Sequence, residues 1–272
     1  PMPAHVRNIE AEGVRRVKLI DATPVGINVR STVATYANVH DEWRKLFAKT
    51  KDAKARGKKA GDFSYNTGSL RCPECDGTGV VTLDVQFLPD VEIPCPACRG
   101  SRYAKEAETI FFENKEGERR TLPELMASDV HEAVRFCRDE KTVAARLKIL
   151  DDLGLGYLTL GEATPALSGG EAQRLKLASE MGRGQSDAVF VFDEPTIGLH
   201  PEDVKTLVGV FERLLAAGAT VVVIEHDLDV IRSADYVVDL GPGGGEEGGR
   251  IVACGTPEAV RNTTESRTGR FL

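Results

Sequence analysis

The chain has 272 residues, 41% of them apolar, which suits one large domain or two small ones with a real core. Its longest apolar runs, such as Thr220-Val221-Val222-Val223-Ile224, are strand-length and far short of a membrane span. The start, Pro1-Met2-Pro3-Ala4-His5, lacks the apolar core of a secretory signal, so a cytoplasmic location is expected, and beginning at Pro suggests a fragment or a processed chain.

The net charge of −7 argues weakly against a polyanion partner, but its distribution argues for one. Arg44, Lys45, Lys49, Lys51, Lys54, Arg56, Lys58 and Lys59 face a single acid, Asp52, between positions 44 and 59. That window carries +7 and leaves −14 for the rest, an asymmetry that is a footprint for a polyanion partner. A solvated helix and loop would show the same run, because basic stretches are common on surfaces.

In chain order, Val17-Lys18-Leu19-Ile20 reads as a buried strand running into a turn at Pro24 and Gly26. A helix is expected to start near Asp41 and to carry the basic run. Residues 66–102 form a Gly-, Pro- and Cys-rich module. Between 122 and 153 the apolar residues recur at helical spacing: Leu122, Leu125, Met126, Val130, Ala133 and Val134, then Leu147, Ile149, Leu150 and Leu153. From Ala163 onward the order is helix, strand, helix, strand, strand. The strands are Val189–Phe192, Val221–Ile224 and Tyr236–Leu240, and helix 201–216 between the first two makes a βαβ unit, so a parallel sheet is expected. The run 188–192 is apolar throughout, as in a strand covered on both faces. Gly241-Pro242-Gly243-Gly244-Gly245 reads as a turn into a strand at 250–253 rather than a phosphate site, since no helix follows it.

Four of the six cysteines stand in two pairs, Cys72-Pro73-Glu74-Cys75 and Cys95-Pro96-Ala97-Cys98, nineteen residues apart. Each pair can wrap a metal from a tight knuckle, and four thiolates make a closed tetrahedral set. Gly77, Gly79 and Gly100 permit the turns that aim backbone amides at sulfur. A structural Zn²⁺ is therefore expected, because four cysteines leave no open catalytic position. A redox role fits less well, since redox pairs of this kind open a helix in a βαβ unit. The alternation over Val81–Phe87 suggests a hairpin bridging the knuckles. Cys137 and Cys254 stand alone and read as small core or surface residues.

Leu167-Ser168-Gly169-Gly170-Glu171-Ala172-Gln173-Arg174 is a helix start. Ser168 can cap it, Glu171 can close a capping box, and the glycines let a backbone approach a ligand whose phosphate the helix N-terminus favours. Taken alone it is no more than a capped helix. Twenty-five residues after Ser168, Asp193 and Glu194 end an apolar strand, where open α/β sheets place ligands. One carboxylate suits Mg²⁺ through water and the next suits an attacking water. Glu225-His226-Asp227 ends the following strand, and His226 there can contact a γ-phosphate or the attacking water. No G-x-x-x-x-G-K-[ST] phosphate loop occurs in the chain.

The signature stretch, Asp193–His200 and the Glu225-His226-Asp227 turn match the second half of an ABC ATPase domain. Together with the cysteine module, with Ala34-Thr35-Tyr36, Phe63-Ser64-Tyr65-Asn66, Phe87-Leu88-Pro89-Asp90 and Asp239-Leu240-Gly241-Pro242, the chain resembles the C-terminal part of the UvrA family from about Val17 to Leu272. Glu171 and His200 are closer to that family than to ABC proteins at large. The resemblance implies an α/β ABC-type ATPase half-domain, a parallel sheet with flanking helices, carrying an inserted zinc-binding module and a helical signature subdomain. It implies the end of a nucleotide-binding core over 1–40, a basic DNA-facing segment over 41–65, a four-cysteine zinc module over 66–105, the signature subdomain over 106–187 and a Walker B and His-switch core over 188–272. Glu194 and His226 would be catalytic and Asp193 would hold Mg²⁺, while Ser168, Gly169, Gly170 and Glu171 would contact ATP bound by another domain.

The resemblance further implies the damage-recognition subunit of the excinuclease ABC in nucleotide excision repair. That subunit would be a homodimer on damaged double-stranded DNA, read without sequence preference through phosphates and deformability, and would engage UvrB through a region outside this chain. The chain departs from the family in one place. Asp21-Ala22-Thr23-Pro24-Val25-Gly26 stands where the family reads D-Q-S-P-I-G, so Ala22 replaces a Gln expected to sense Mg²⁺ and γ-phosphate. Ile27-Asn28-Val29-Arg30 also departs from the usual R-T-P-R. A UvrA-like paralog, of a kind associated with tolerance to DNA-binding drugs, is the alternative, as is a non-catalytic zinc-stabilised DNA-binding and dimer module. A transport-type ABC ATPase is disfavoured by the zinc insertion.

Overall fold

The computed structural model describes residues 6–26, 28–83, 91–181, 185–241, 243 and 249–272. The elements in chain order are β1 (Arg16–Ile20), α1 (Val33–Tyr36), α2 (Val39–Phe47), α3 (Lys51–Ala55), β2 (Val80–Leu83), β3 (Val91–Pro94), β4 (Phe111–Glu113) and β5 (Arg119–Thr121). There follow α4 (Leu122–Ala127), α5 (Val130–Phe136), α6 (Lys141–Asp152), α7 (Gly169–Glu180), β6 (Ala188–Asp193), α8 (Pro201–Ala216), β7 (Thr220–Ile224), α9 (Leu228–Ser233), β8 (Val237–Gly241), β9 (Arg250–Gly255) and α10 (Pro257–Arg261). They fall into two compact units, Pro1–Ala22 with Gly184–Leu272, and Thr23–Arg183. Among the described residues no helix is long and apolar enough to cross a membrane.

The first unit is built on a three-stranded parallel sheet, order β1-β6-β7. Arg16 fixes the start of the first pairing: its guanidinium meets the Asp187 carboxylate at 2.6 Å, and its amide donates to Asp187 O. The βαβ unit expected from the sequence is β6-α8-β7. Val204, Leu207, Val210, Phe211 and Leu214 of α8 are buried at helical spacing, and Phe211 packs on Phe192 with ring centroids 4.8 Å apart. The other face differs from the expectation of a sheet covered on both sides. Val17, Leu19, Val222 and Ile224 keep 66, 58, 45 and 54% of their surface exposed. The third expected strand, β8, joins no parallel sheet among the described residues and pairs antiparallel with β9. The turn between them lies largely outside the described residues.

The second unit is helical, with two hairpins. In α2, Val39, His40, Trp43 and Phe47 turn inward while Asp41, Glu42, Arg44 and Lys45 do not. The helix begins two residues before Asp41 and ends at Phe47, so the basic run spans α2, a short α3 capped by Thr50, and the loop after it. The 122–153 periodicity is divided among α4, α5 and α6. Asp129 caps α5 by accepting from the Glu132 amide, and Thr121 and Glu124 close a capping box on α4. Trp43 anchors the core and donates its indole N–H to Cys137 Sγ at 3.4 Å. Burial pushes the Cys137 thiol up to about 11, so this cysteine is a packed apolar group, while Cys254 is exposed.

Candidate functional site

The cysteine module is two matched knuckles. After Cys75 and after Cys98 the chain takes two consecutive positive φ values, at Asp76 and Gly77 (50° and 79°) and at Arg99 and Gly100 (51° and 87°). The following amides, of Thr78 and Ser101, donate back to Cys75 O and Cys98 O, each at 3.0 Å. Gly77 has no substitute: a Cβ there would lie 1.7 Å from Tyr65 O. β2 and β3 pair antiparallel between the knuckles, as the alternation suggests, although Phe87 and the rest of 84–90 lie outside the described residues. All four sulfurs are buried within 4.8 Å of one another, with Cys72–Cys95 at 3.9 Å and Cys75–Cys98 at 3.7 Å. A tetrahedron with metal–sulfur bonds of about 2.3 Å has edges of about 3.8 Å, so the donor set fits a tetrahedral thiophilic metal.

Burial pushes the Cys72 and Cys98 thiols up, Cys98 to about 12. At Cys75 the same burial is outweighed by the Gly79 amide, 3.3 Å from Sγ, and by Cys98, which bring it down to about 7. The module is tied to its own unit by arginines. Asp76 takes Arg30 and Arg71, each at 3.0 Å, and buried Arg102 donates to Val29 O and lies over the Tyr65 ring.

The signature residues belong to the same unit. Ser168 caps α7 and forms the expected box with Glu171. Glu171 is occupied at both oxygens: Oε2 accepts the Ser168 amide at 2.7 Å and Oε1 accepts the Tyr157 hydroxyl at 2.6 Å. Burial raises its carboxyl, but the Tyr157 and Ser168 hydrogen bonds outweigh that and hold it below the ordinary range. Among the described residues the amides of Gly169 and Gly170 have no acceptor, as at any helix start. Further along α7, Lys176 donates to Thr23 Oγ1 at 2.7 Å, next to Ala22.

The acids and the histidine stand in the first unit, at the C-terminal ends of adjacent parallel strands. Asp193 is the last residue of β6, in register with Ile224, the last of β7. Glu194 follows with φ 46°, which turns the chain sharply out of the sheet. His226 Nδ1 lies 4.0 Å from Glu194 Oε1, and both side chains are open to solvent. The sheet thus brings His226 to the adjacent pair Asp193 and Glu194, more than thirty positions earlier, at the edge where α/β proteins bind ligands.

The basic run is less uniform than its composition. Arg44 pairs with Asp41, Lys45 with Glu42 and Lys58 with Glu106, while Arg56 donates to Thr109 Oγ1 at 2.6 Å. Lys49, Lys51, Lys54 and Lys59 are exposed and form no ion pair among the described residues. By composition the run holds eight equal charges; among the described residues four of them have side-chain partners and four do not. Tyr157, Thr196, Glu225 and Arg102 carry no role that the sequence alone assigns, because their contacts with Glu171, with each other and with Val29 O form only on folding.

Fold and site together define an α/β half-domain of the ABC ATPase type, with a four-cysteine insertion and a helical signature subdomain. No family model matches the chain. It is, however, a UvrA-like sequence over almost its whole length. The UvrABC system protein A of Lactiplantibacillus plantarum is 47% identical over 268 residues, covering 98% of this chain and 27% of that protein. That of Aquifex aeolicus is 46% identical over 269 residues, covering 98% and 28%. The crystal structure of UvrA2 from Deinococcus radiodurans superposes with a TM-score of 0.88 at 43% identity, covering 97% of this chain and 32% of that one. The chain spans about a quarter of the length of the curated relatives it matches.

Proposed function

We propose that this segment works as part of the ATP-dependent damage-recognition subunit of an excinuclease ABC, a homodimer that surveys double-stranded DNA and loads UvrB through a region outside this chain. The observation that carries the proposal is the 4.0 Å approach of His226 to Glu194 at the end of two parallel strands, beside Asp193. Mg²⁺-ATP, when bound, supplies the γ-phosphoryl bond whose hydrolysis drives the cycle. Asp193 is suited to hold the cation. The Glu194 carboxylate, half-exposed and without a hydrogen-bond partner among the described residues, is suited to accept a proton from an attacking water, and His226 to steady that water or the leaving charge. Gly169 and Gly170 offer amides to a phosphate. The cysteine set is read as a structural Zn²⁺ site, and Lys49, Lys51, Lys54 and Lys59 as phosphate contacts.

Ala22 favours the paralog variant of this reading, in which coupling between nucleotide and DNA differs from the standard subunit. The test is hydrolysis. This chain alone, which has no phosphate loop, should turn over no ATP, whereas a polypeptide of full UvrA length carrying it should hydrolyse ATP with a DNA-dependent rate. Turnover by the isolated chain, or none by the long one, would remove the assignment.

A further inference from the structure

One carboxylate ties together the two turns that carry Glu194 and His226. Glu225 follows β7 and is part-buried. One of its oxygens accepts the Thr196 amide at 2.8 Å and the Thr196 hydroxyl; the other accepts the amides of His226 at 2.7 Å and Asp227 at 3.0 Å. Four donors use the ordinary capacity of a carboxylate. Burial pushes the Glu225 carboxyl up, but the Thr196, Asp227 and His226 hydrogen bonds outweigh it, so the group stays ionised. Backbone bonds complete the knot: the Glu194 amide donates to Ile224 O at 2.9 Å and the Ile197 amide to Glu194 O at 3.2 Å. Glu194 itself is held at a positive φ that an L side chain rarely adopts, so something around it must enforce the turn.

We infer that Glu225 is a positioning residue whose carboxylate locks the Thr196 turn to the His226 turn and so sets the separation of Glu194 and His226. The inference rests on the proposed ATPase reading of that pair. It also separates two neighbouring acids that look alike in sequence. Glu225 has no lone pair left for an attacking water, whereas Glu194 does.

Glu225→Gln offers one acceptor oxygen in place of two, so one pair of donors must face an NH₂ group. Thr196→Val removes only the hydroxyl, and Thr196→Ser keeps it. In this chain, hydrogen exchange at the Thr196, His226 and Asp227 amides should quicken by about tenfold or more in Glu225→Gln, with the β1–β6 amides unchanged. In a polypeptide of full UvrA length, Glu225→Gln should lower kcat by about tenfold or more and move KM for ATP by less than about twofold. Thr196→Val should fall between and Thr196→Ser close to wild type. Unchanged exchange in Glu225→Gln would show that the carboxylate does not hold the turns. Quickened exchange with unchanged kcat would show a tie without a positioning role; either result overturns the inference. If the wild-type long polypeptide hydrolyses no ATP, it is the ATPase reading that fails, and the exchange measurement alone then decides whether Glu225 ties the turns.

Discussion

Glu194 and His226, thirty-two positions apart in the chain, meet at 4.0 Å because β6 and β7 are parallel neighbours whose C-terminal ends are in register. Glu194→Gln keeps the side chain's size and removes its basicity. In a polypeptide of full UvrA length it should bind ATP normally and lose about 10²–10⁴ in turnover, as expected for a general base. Nucleotide affinity and steady-state hydrolysis, measured together, check this; retained turnover would mean that Glu194 takes no proton.

The four sulfurs lie within 4.8 Å of one another, and four thiolate donors leave a tetrahedral metal no open position. One Zn²⁺ per chain should be found by elemental analysis. Chelation, or Cys95→Ser, should unfold the 66–102 module and loosen the Arg30 and Arg102 contacts, because metal binding and folding are coupled. Circular dichroism and the exchange rate of the Cys72 amide, which donates to Arg102 O, are the readouts. An unaltered spectrum after complete metal removal would contradict a structural role.

The four unpaired lysines give a sharper DNA experiment than the composition does. Lys49→Glu and Lys54→Glu should each weaken binding to every sequence about equally and reduce the salt slope by about 0.9 per lost phosphate contact. Arg56→Glu is the control. Its contacts to Thr109 tie the loop to its own unit, so it should lower the melting temperature as well. A salt slope unchanged in the double lysine variant would take this surface off the DNA.

His40 makes stability sensitive to acid. Its ring is buried against Tyr65, and Tyr103 gives its hydroxyl proton to Phe63 O, so His40 Nε2 is the donor in the 2.7 Å bond to Tyr103. Burial first, then Arg44 and Arg102, lower its pKa from 6.5 to about 3. Between those values the unfolded chain binds a proton that the folded chain refuses, so stability is full above pH 6.5 and falls as pH drops toward 3. Urea melts at pH 7 and pH 5 should differ by about 2 kcal/mol from this group alone. His40→Gln should start less stable and show a shallower fall; an equal fall would place the acid sensitivity elsewhere.

The local features of this chain are legible in its residues alone. Ser168 and Glu171 name a capped helix because the box needs only residues three apart. The two C-x-x-C pairs name a metal site because each knuckle is a local turn. The apolar run 188–192 with helix 201–216 and the next strand names a parallel βαβ unit because period and length are local quantities. What stayed hidden depends on which side chains meet after folding. Glu171 proves to be bound by Tyr157, and two of the eight basic residues prove to be spoken for by distant partners, since Glu106 and Thr109 reach Lys58 and Arg56 across about fifty positions. That β8 is followed by a second strand at 250–253 is legible from the Gly-rich turn between them, but that its ladder goes antiparallel to β9 is fixed by which strands become neighbours. Folding alone settles which of two glutamates at the sheet edge keeps an unoccupied carboxylate. Glu194 and Glu225 both follow apolar strands, yet hydrogen-bond donors from two separate turns saturate Glu225 and leave Glu194 open beside His226.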